Sequence, residues 1–80
     1  MKEVLEDSKE FLSIDDYENA TVLIDNNESL LGLELICEQL YEYDSKIPKS
    51  LYEKVENLGK YYELDCKKLD LISQLIVNDR

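Results

Sequence analysis

Carboxylates are the side chains of this sequence with the most chemical potential, because Asp and Glu number 19 and histidine is absent. Asp15 and Asp16, together with Asp25, are candidates for metal ligands or for a general acid and base. Their spacing matches no calcium-binding loop, and the sequence has no glycine-rich phosphate loop and no nucleophile beside an evident base. Acids at the start of a helix are favoured by its dipole. We therefore expect exposed carboxylates here, no metal or other cofactor, and no enzymatic activity.

Cys37 and Cys66 are the other residues that could do chemistry. Their spacing matches no metal-binding motif, and no histidine is present to activate a thiol. The N-terminus has no basic stretch followed by an apolar one, as a secretory signal peptide would, so we expect a cytoplasmic protein with reduced thiols. Cys37 fits an apolar helical stripe and should lie in the core, whereas Cys66 should lie in the first turn of a helix.

A second acidic pattern lies in the middle of the chain, where Glu34, Glu38 and Glu42 follow one another at intervals of four residues. Side chains at i and i+4 are neighbours on a helix, so the three carboxylates should form one ridge of like charge. No lysine or arginine lies between Lys9 and Lys46 to relieve it. The ridge is either an ordinary polar face or a docking face for a basic partner, and nearby tyrosines favour docking. The predicted partner-binding residues are Glu34, Glu38, Tyr41, Glu42, Tyr43 and Asp44.

The distribution of charge extends this interpretation to the whole chain. The net charge is −10 at pH 7, of which residues 1–44 carry −11 and residues 45–80 carry +1. Direct binding of nucleic acid is not expected, because recognition of phosphate requires a basic patch. A basic protein is the better candidate partner. The acids of the first two predicted helices form an alternative docking surface, which consists of Glu6, Glu10, Asp15, Asp16 and Glu18.

The elements that must position these residues are predicted to be helices throughout, because apolar residues recur with a helical period in five segments. One proline and two glycines argue against a loop-rich or all-β chain, and no apolar run approaches the ~20 residues of a membrane span. We predict an all-α fold, a compact bundle of about five short and mostly antiparallel helices in a single domain, residues 1–80. The predicted helices are 2–12, 14–25, 28–43, 48–62 and 66–77.

Residues at the predicted helix ends support these boundaries. Ser13, followed three residues later by an acid, resembles a capping box, and Asn26-Asn27 should end the second helix. Pro48 should lie in the first turn of the fourth helix, and Asp65 should cap the fifth. Gly32 is expected to permit close packing of two helices. The residues predicted for the core stripes of the last three helices are Leu30, Leu33, Cys37, Leu40, Leu51, Val55, Leu58, Tyr62, Leu69, Ile72 and Ile76, with Leu31, Leu35, Leu71 and Leu75 beside them.

The stretch from Leu31 to Leu64 carries a pattern found in a known family. Residues 31–42, LGLELICEQLYE, are similar to a central helix of the form Leu-x-x-Glu-x-Leu-Cys-x-Gln-Leu-Tyr-Glu, and Ile47, Leu51-Tyr52 and Leu58-Gly59 match the segments that follow it. The pattern resembles the MafI family of small immunity proteins and the related CdiI-like immunity proteins of contact-dependent growth inhibition systems, which are also short and acidic. The resemblance covers about 34 of the 80 residues.

This resemblance implies a cytosolic immunity protein that binds and neutralises the C-terminal toxin domain of a polymorphic, contact-dependent inhibition system. In this family the toxin is typically an EndoU-like ribonuclease, whose cleft must be basic to attract phosphate. The immunity protein would plug that cleft or bind beside it. The alternative is an acidic helical adaptor, or nucleic-acid mimic, that binds another basic host protein. Neither interpretation predicts membrane association or a particular oligomeric state.

Overall fold

Five helices make up most of the computed structural model, which describes residues 1–77. The all-α prediction is confirmed, since the only strands in this part of the chain are two of two residues each. The helices are α1 (Lys2–Ser8), α2 (Ile14–Asp25), α3 (Ser29–Glu42), α4 (Lys49–Tyr62) and α5 (Cys66–Ser73), and the strands are β1 (Ile47–Pro48) and β2 (Ile76–Val77).

The most extensive helix contact is the antiparallel hairpin of α2 and α3. As predicted, α2 ends at Asn26-Asn27, where Asn27 takes the left-handed conformation with φ of 63° and turns the chain back. The predicted close packing at Gly32 is also confirmed. A Cβ at this position would lie 2.8 Å from Cγ1 of Ile24 and 3.4 Å from the carbonyl oxygen of Ala20, so the two helices approach more closely than a side chain would allow.

The centre of the core comes from α3, on which Leu33, Ile36 and Leu40 are fully buried. Most of the predicted core residues lie in the interior, but the apolar stripes are narrower than predicted. Leu31 and Leu71 are exposed, and Leu58 is only half-buried at the edge of the core. The buried apolar residues are Val4, Leu5, Ala20, Leu33, Ile36, Cys37, Leu40, Ile47, Leu51, Val55, Leu64, Ile72 and Leu75.

The first helix is shorter than the predicted segment 2–12. It ends at Ser8 and continues as a single tight 3₁₀ turn, Lys9–Phe11. The physical reason is the start of the next helix. Leu12 is extended with φ of −115° and ψ of 154°, and Ser13 is extended as the N-cap of α2, so the preceding helix must close before them.

The fifth helix is also shorter than predicted, since it ends at Ser73 and residues 76–77 form a strand instead. In β2, Ile76 pairs in parallel with Ile47 of β1. Ile47 is completely buried, so its N–H needs a partner, and it donates to the carbonyl of Leu75 at 3.0 Å. The residue before a proline is disfavoured in a helix, which keeps Ile47 extended and available for this pairing.

Three helix starts were predicted, at Ser13, Pro48 and Asp65. The caps at Ser13 and Asp65 are confirmed, and the position of Pro48 is wrong by a single residue. The hydroxyl of Ser13 accepts from the N–H of Asp16 at 3.1 Å, and the carboxylate of Asp65 accepts from the N–H of Lys67 at 3.0 Å. Pro48 lies just outside α4, as its N-cap in β1, with φ of −73° and ψ of 153°. The proline ring fixes φ at a value that suits both a helix and an extended strand, so pairing with β2 decides the ψ of Pro48.

Candidate partner-binding surface

The acidic ridge, defined here as Glu34, Glu38 and Glu42, lies along one side of α3 as the spacing predicted. The opposite side of this helix carries the fully buried core residues. Glu38 and Glu42 are exposed, whereas Glu34 lies closer to the core and is half-buried. Two of the three carboxylates are therefore exposed to solvent.

The predicted tyrosines are both on the surface but do not share one face. Tyr41 is 44% exposed and Tyr43 is 58% exposed. Tyr41 lies seven residues after Glu34, which is close to two helical turns, and so it extends the ridge. Tyr43 lies nine residues after Glu34, which is two and a half turns, and it is the C-cap residue that follows α3. Tyr43 therefore extends away from the ridge.

Asp44 lies just beyond the end of α3, where the backbone takes a left-handed conformation with φ of 50°. Its carboxylate is 3.5 Å from the ammonium of Lys46, and both side chains are largely exposed. An ion pair of this kind contributes little to stability because solvent screens it. Asp44 is accessible, but the turn separates it from the ridge.

No lysine or arginine lies near the ridge in sequence, but in the folded chain a lysine from another helix neutralises part of its charge. The packing of α5 against α3 brings the ammonium of Lys68 within 2.8 Å of the Glu38 carboxylate. This hydrogen bond is the main reason why the pKa of Lys68 is raised above its usual value, and the charges of Glu38 and Glu34 add to it. Lys68 was missed because it lies 30 residues from Glu38 in sequence, and no local pattern links the two.

An open groove of about 320 Å³ lies between the ridge and α5. Three of the six predicted residues line it, namely Glu38, Tyr41 and Glu42. The other lining residues are Cys37, Gln39, Lys68 and Leu71. Leu71 was expected to flank the core of α5, and its exposure supplies an apolar wall to the groove. The groove thus combines two accessible carboxylates with one aromatic and one aliphatic side chain.

The two thiols lie where the sequence predicted, Cys37 in the core and Cys66 at the start of α5. Cys37 is buried beneath the groove, and burial raises its thiol pKa from 9.0 to about 12, so the thiol stays protonated near neutral pH. A protonated, buried thiol is inert. Cys66 is exposed at the first position of α5. Both cysteines are free, as predicted.

The alternative acidic surface on α1 and α2 is partly occupied by contacts within the chain. The hydroxyl of Tyr17 donates to Glu6 at 3.2 Å, and Lys54 of α4 lies 2.6 Å from Asp7. Gln39 of α3 donates to Asp16 at 2.9 Å. The remaining predicted acids of this surface, Glu10, Asp15 and Glu18, are exposed.

Two apolar residues on the outer side of α2 were not recognised in the sequence. Ile14 is 76% exposed and Val22 is 56% exposed, and Glu18 lies between them at intervals of four residues. Their spacing places Ile14 and Val22 on one face of the helix. The sequence therefore contained the signal, but apolar residues at this spacing are also typical of a buried core stripe. This face is a second possible docking surface.

Comparisons with known proteins add no relative, since no family model, no curated protein and no solved structure matches the chain. Residues 1–77 contain no group of three or more His, Cys, Asp or Glu side chains arranged to hold a metal ion. None of the helices described is long and apolar enough to cross a membrane. The function must therefore be argued from the surface itself.

Proposed function

We propose that this protein is a cytoplasmic immunity protein, which binds and neutralises the nuclease toxin domain of a contact-dependent inhibition system through the acidic surface of α3. The resemblance of residues 31–64 to the MafI family of immunity proteins implies an EndoU-like ribonuclease as the toxin. The protein would act by stoichiometric binding and would need no catalytic group of its own.

The observation that carries this proposal is the exposed set of Glu38, Tyr41 and Glu42 on one face of α3. Aromatic side chains supply buried area at an interface, while carboxylates complement a basic partner. A ribonuclease concentrates positive charge where it binds phosphate, so the net charge of −10 would accelerate the encounter.

The position of Glu42 in its helix gives independent support. Glu42 is the last residue of α3 and Asp44 follows it, and the last turn contains no basic residue. Carboxylates are disfavoured at the negative end of the helix dipole, by about 0.3–1 kcal/mol each at exposed sites. Charges that oppose folding are typical of positions retained for binding.

The first test is to co-express this protein with the toxin domain encoded directly upstream, to purify the complex through a tag on the toxin, and to measure protection of cells. We expect a stoichiometric complex and loss of ribonuclease activity. Capture of an unrelated basic host protein, with no complex with the encoded toxin, would instead favour the adaptor interpretation and would refute this proposal.

The second test locates the interface by charge reversal at Glu42→Lys and, as a matched control on α2, at Glu18→Lys. Both residues are exposed. We expect the first change to slow association and to weaken its salt dependence, because exposed interface charges act mainly on the association rate. The second change should have a smaller effect. If Glu18→Lys abolishes protection and Glu42→Lys does not, the interface lies on α2.

A further inference from the structure

The groove between α3 and α5 already holds one cation, the ammonium of Lys68 on the carboxylate of Glu38. The same groove contains the carboxylate of Glu42, which forms no ion pair within residues 1–77. Glu38 and Glu42 are neighbours on the helix, with Cβ atoms about 5–6 Å apart. The groove thus has two acceptors for positive charge, and the chain itself occupies one.

The hold of Lys68 on Glu38 is weak enough to be exchanged. The side chain of Glu38 is 56% exposed and that of Lys68 is 27% exposed, so water screens their attraction. Exposed pairs of this kind contribute little to stability. A cation from outside that contacts both carboxylates therefore has only a weak internal pair to displace.

The walls of the groove favour one kind of cation. Tyr41 and Leu71, both partly exposed, line the groove together with the carboxylates. A guanidinium group stacks on aromatic rings and carries five N–H donors in a planar fork, whereas an ammonium is a compact and strongly hydrated charge. An arginine can also cover an apolar wall with its aliphatic stem.

We propose that this groove receives an arginine side chain of the partner, which takes Glu38 from Lys68 and bridges it to Glu42. The identity of that partner as a basic toxin rests on the proposed function, but the chemistry of the groove does not. Lys68 then acts as an internal competitor, which neutralises Glu38 in the free protein and is displaced when the partner binds.

A small arginine derivative tests the groove without the toxin. The ¹⁵N-labelled protein is titrated with argininamide at low ionic strength, and citrullinamide, whose ureido side chain is uncharged, is the control ligand. We expect chemical-shift changes centred on Glu38, Tyr41 and Leu71, none of comparable size with citrullinamide, and weaker changes with lysinamide. Changes centred on α2, or equal changes with lysinamide, would overturn the assignment to an arginine site.

Two lysine variants then test the role of Lys68. Lys68→Met retains the aliphatic stem and removes the competing charge, while Lys67→Met makes the same change in net charge at an exposed neighbour. We expect Lys68→Met to bind argininamide about 1.4- to five-fold more tightly than Lys67→Met, the range that corresponds to an exposed ion pair. Equal affinities would show that Lys68 does not compete for the groove.

The same variants separate this inference from the proposed function. If the encoded toxin binds and Lys68→Met binds it no more tightly than Lys67→Met, the inference is wrong and the immunity function stands. If argininamide occupies the groove but the toxin forms no complex, the immunity function is wrong, and the arginine site belongs to a different basic partner.

Discussion

Substituting alanine at the two glycines of this chain should change its stability in opposite directions. Both residues are buried in helices with ordinary negative φ, so neither needs glycine for its backbone conformation. Replacing glycine by alanine inside a helix gains about 0.5–1 kcal/mol, because glycine loses more conformational freedom on folding. The space around each Cβ decides whether that gain survives.

At Gly32 the added Cβ would lie 2.8 Å from Cγ1 of Ile24, and the carbonyl oxygen of Ala20 is 3.4 Å away. A β-branched side chain is stiff, so Ile24 cannot easily give way and α2 and α3 would have to shift apart. Overpacking of this kind costs about 1–3 kcal/mol. After the helix gain is subtracted, we expect Gly32→Ala to lose about 1 kcal/mol, with an upper value near 2 kcal/mol.

Gly59 is the matched control, because its Cβ would meet only side-chain atoms of Leu64 and Leu69, at 3.3–3.4 Å. These neighbours can give way by a few tenths of an ångström, so part of the helix gain should remain. We expect Gly59→Ala to be neutral or to gain up to about 1 kcal/mol.

Urea unfolding followed by circular dichroism measures both variants, and thermal unfolding gives an independent value. A difference of 1 kcal/mol corresponds to about 4–8 °C in Tm for a domain of this size. Gly32→Ala should therefore melt several degrees below the parent, and Gly59→Ala at or above it. If Gly32→Ala were as stable as Gly59→Ala, the close approach of α2 and α3 would be refuted.

Four further predictions concern the core and the two thiols. Leu40→Ala should lower the free energy of unfolding by about 2–5 kcal/mol, because Leu40 is fully buried. Leu58→Ala should lower it clearly less, because Leu58 is half-buried. Equal losses in urea titrations would contradict this burial pattern. The hydroxyl of Ser8 is buried with no hydrogen-bond partner within residues 1–77. Ser8→Ala should therefore raise the free energy of unfolding by roughly 1 kcal/mol and raise Tm with it. A lower Tm would mean that this hydroxyl does have a hydrogen-bond partner. Burial raises the pKa of the Cys37 thiol from 9.0 in the unfolded chain to about 12 in the folded chain, so the unfolded state loses its proton first as pH rises above 9. The free energy of unfolding should therefore fall by about 1.4 kcal/mol per pH unit because of this group. Cys37→Ala should flatten that slope in unfolding measured between about pH 9 and 11. At neutral pH a thiol reagent should label Cys66 in the native protein and Cys37 only after unfolding, and native labelling of both would refute the burial of Cys37.

The elements predicted with most success are those encoded by neighbouring residues. The helical period of apolar residues is a local signal, and so are the caps at Ser13 and Asp65, whose acceptors bond N–H groups two or three residues later. The turn at Asn26-Asn27 is equally local, because it depends on the tolerance of asparagine for positive φ. For these elements the tertiary structure adds packing without changing the local preference.

Two of the features that sequence reasoning missed depend on residues that are distant in the chain. Residues 76–77 continue an apolar helical pattern, and only the presence of Ile47 beside them makes the extended conformation favourable. Lys68 meets Glu38 only because α5 packs against α3, so a charge count along the sequence gave the wrong electrostatic picture of the ridge. Pairing between distant elements overrides local preference in both cases.

The same long-range contacts change the meaning of the charge asymmetry. The part of the chain with net charge +1 supplies Lys46 to Asp44, Lys54 to Asp7 and Lys68 to Glu38, so several of its lysines pair with acids of residues 1–44. A charge reversal at Glu38 therefore alters a contact within the protein as well as any contact with a partner. Glu42 has no such contact within residues 1–77, and it lies at the helix end where its charge opposes folding. Removing the charge of Glu42 should stabilise the free protein slightly and weaken its binding to the partner. Opposite effects on stability and on binding are what distinguish a carboxylate retained for a partner from one that merely keeps a surface solvated.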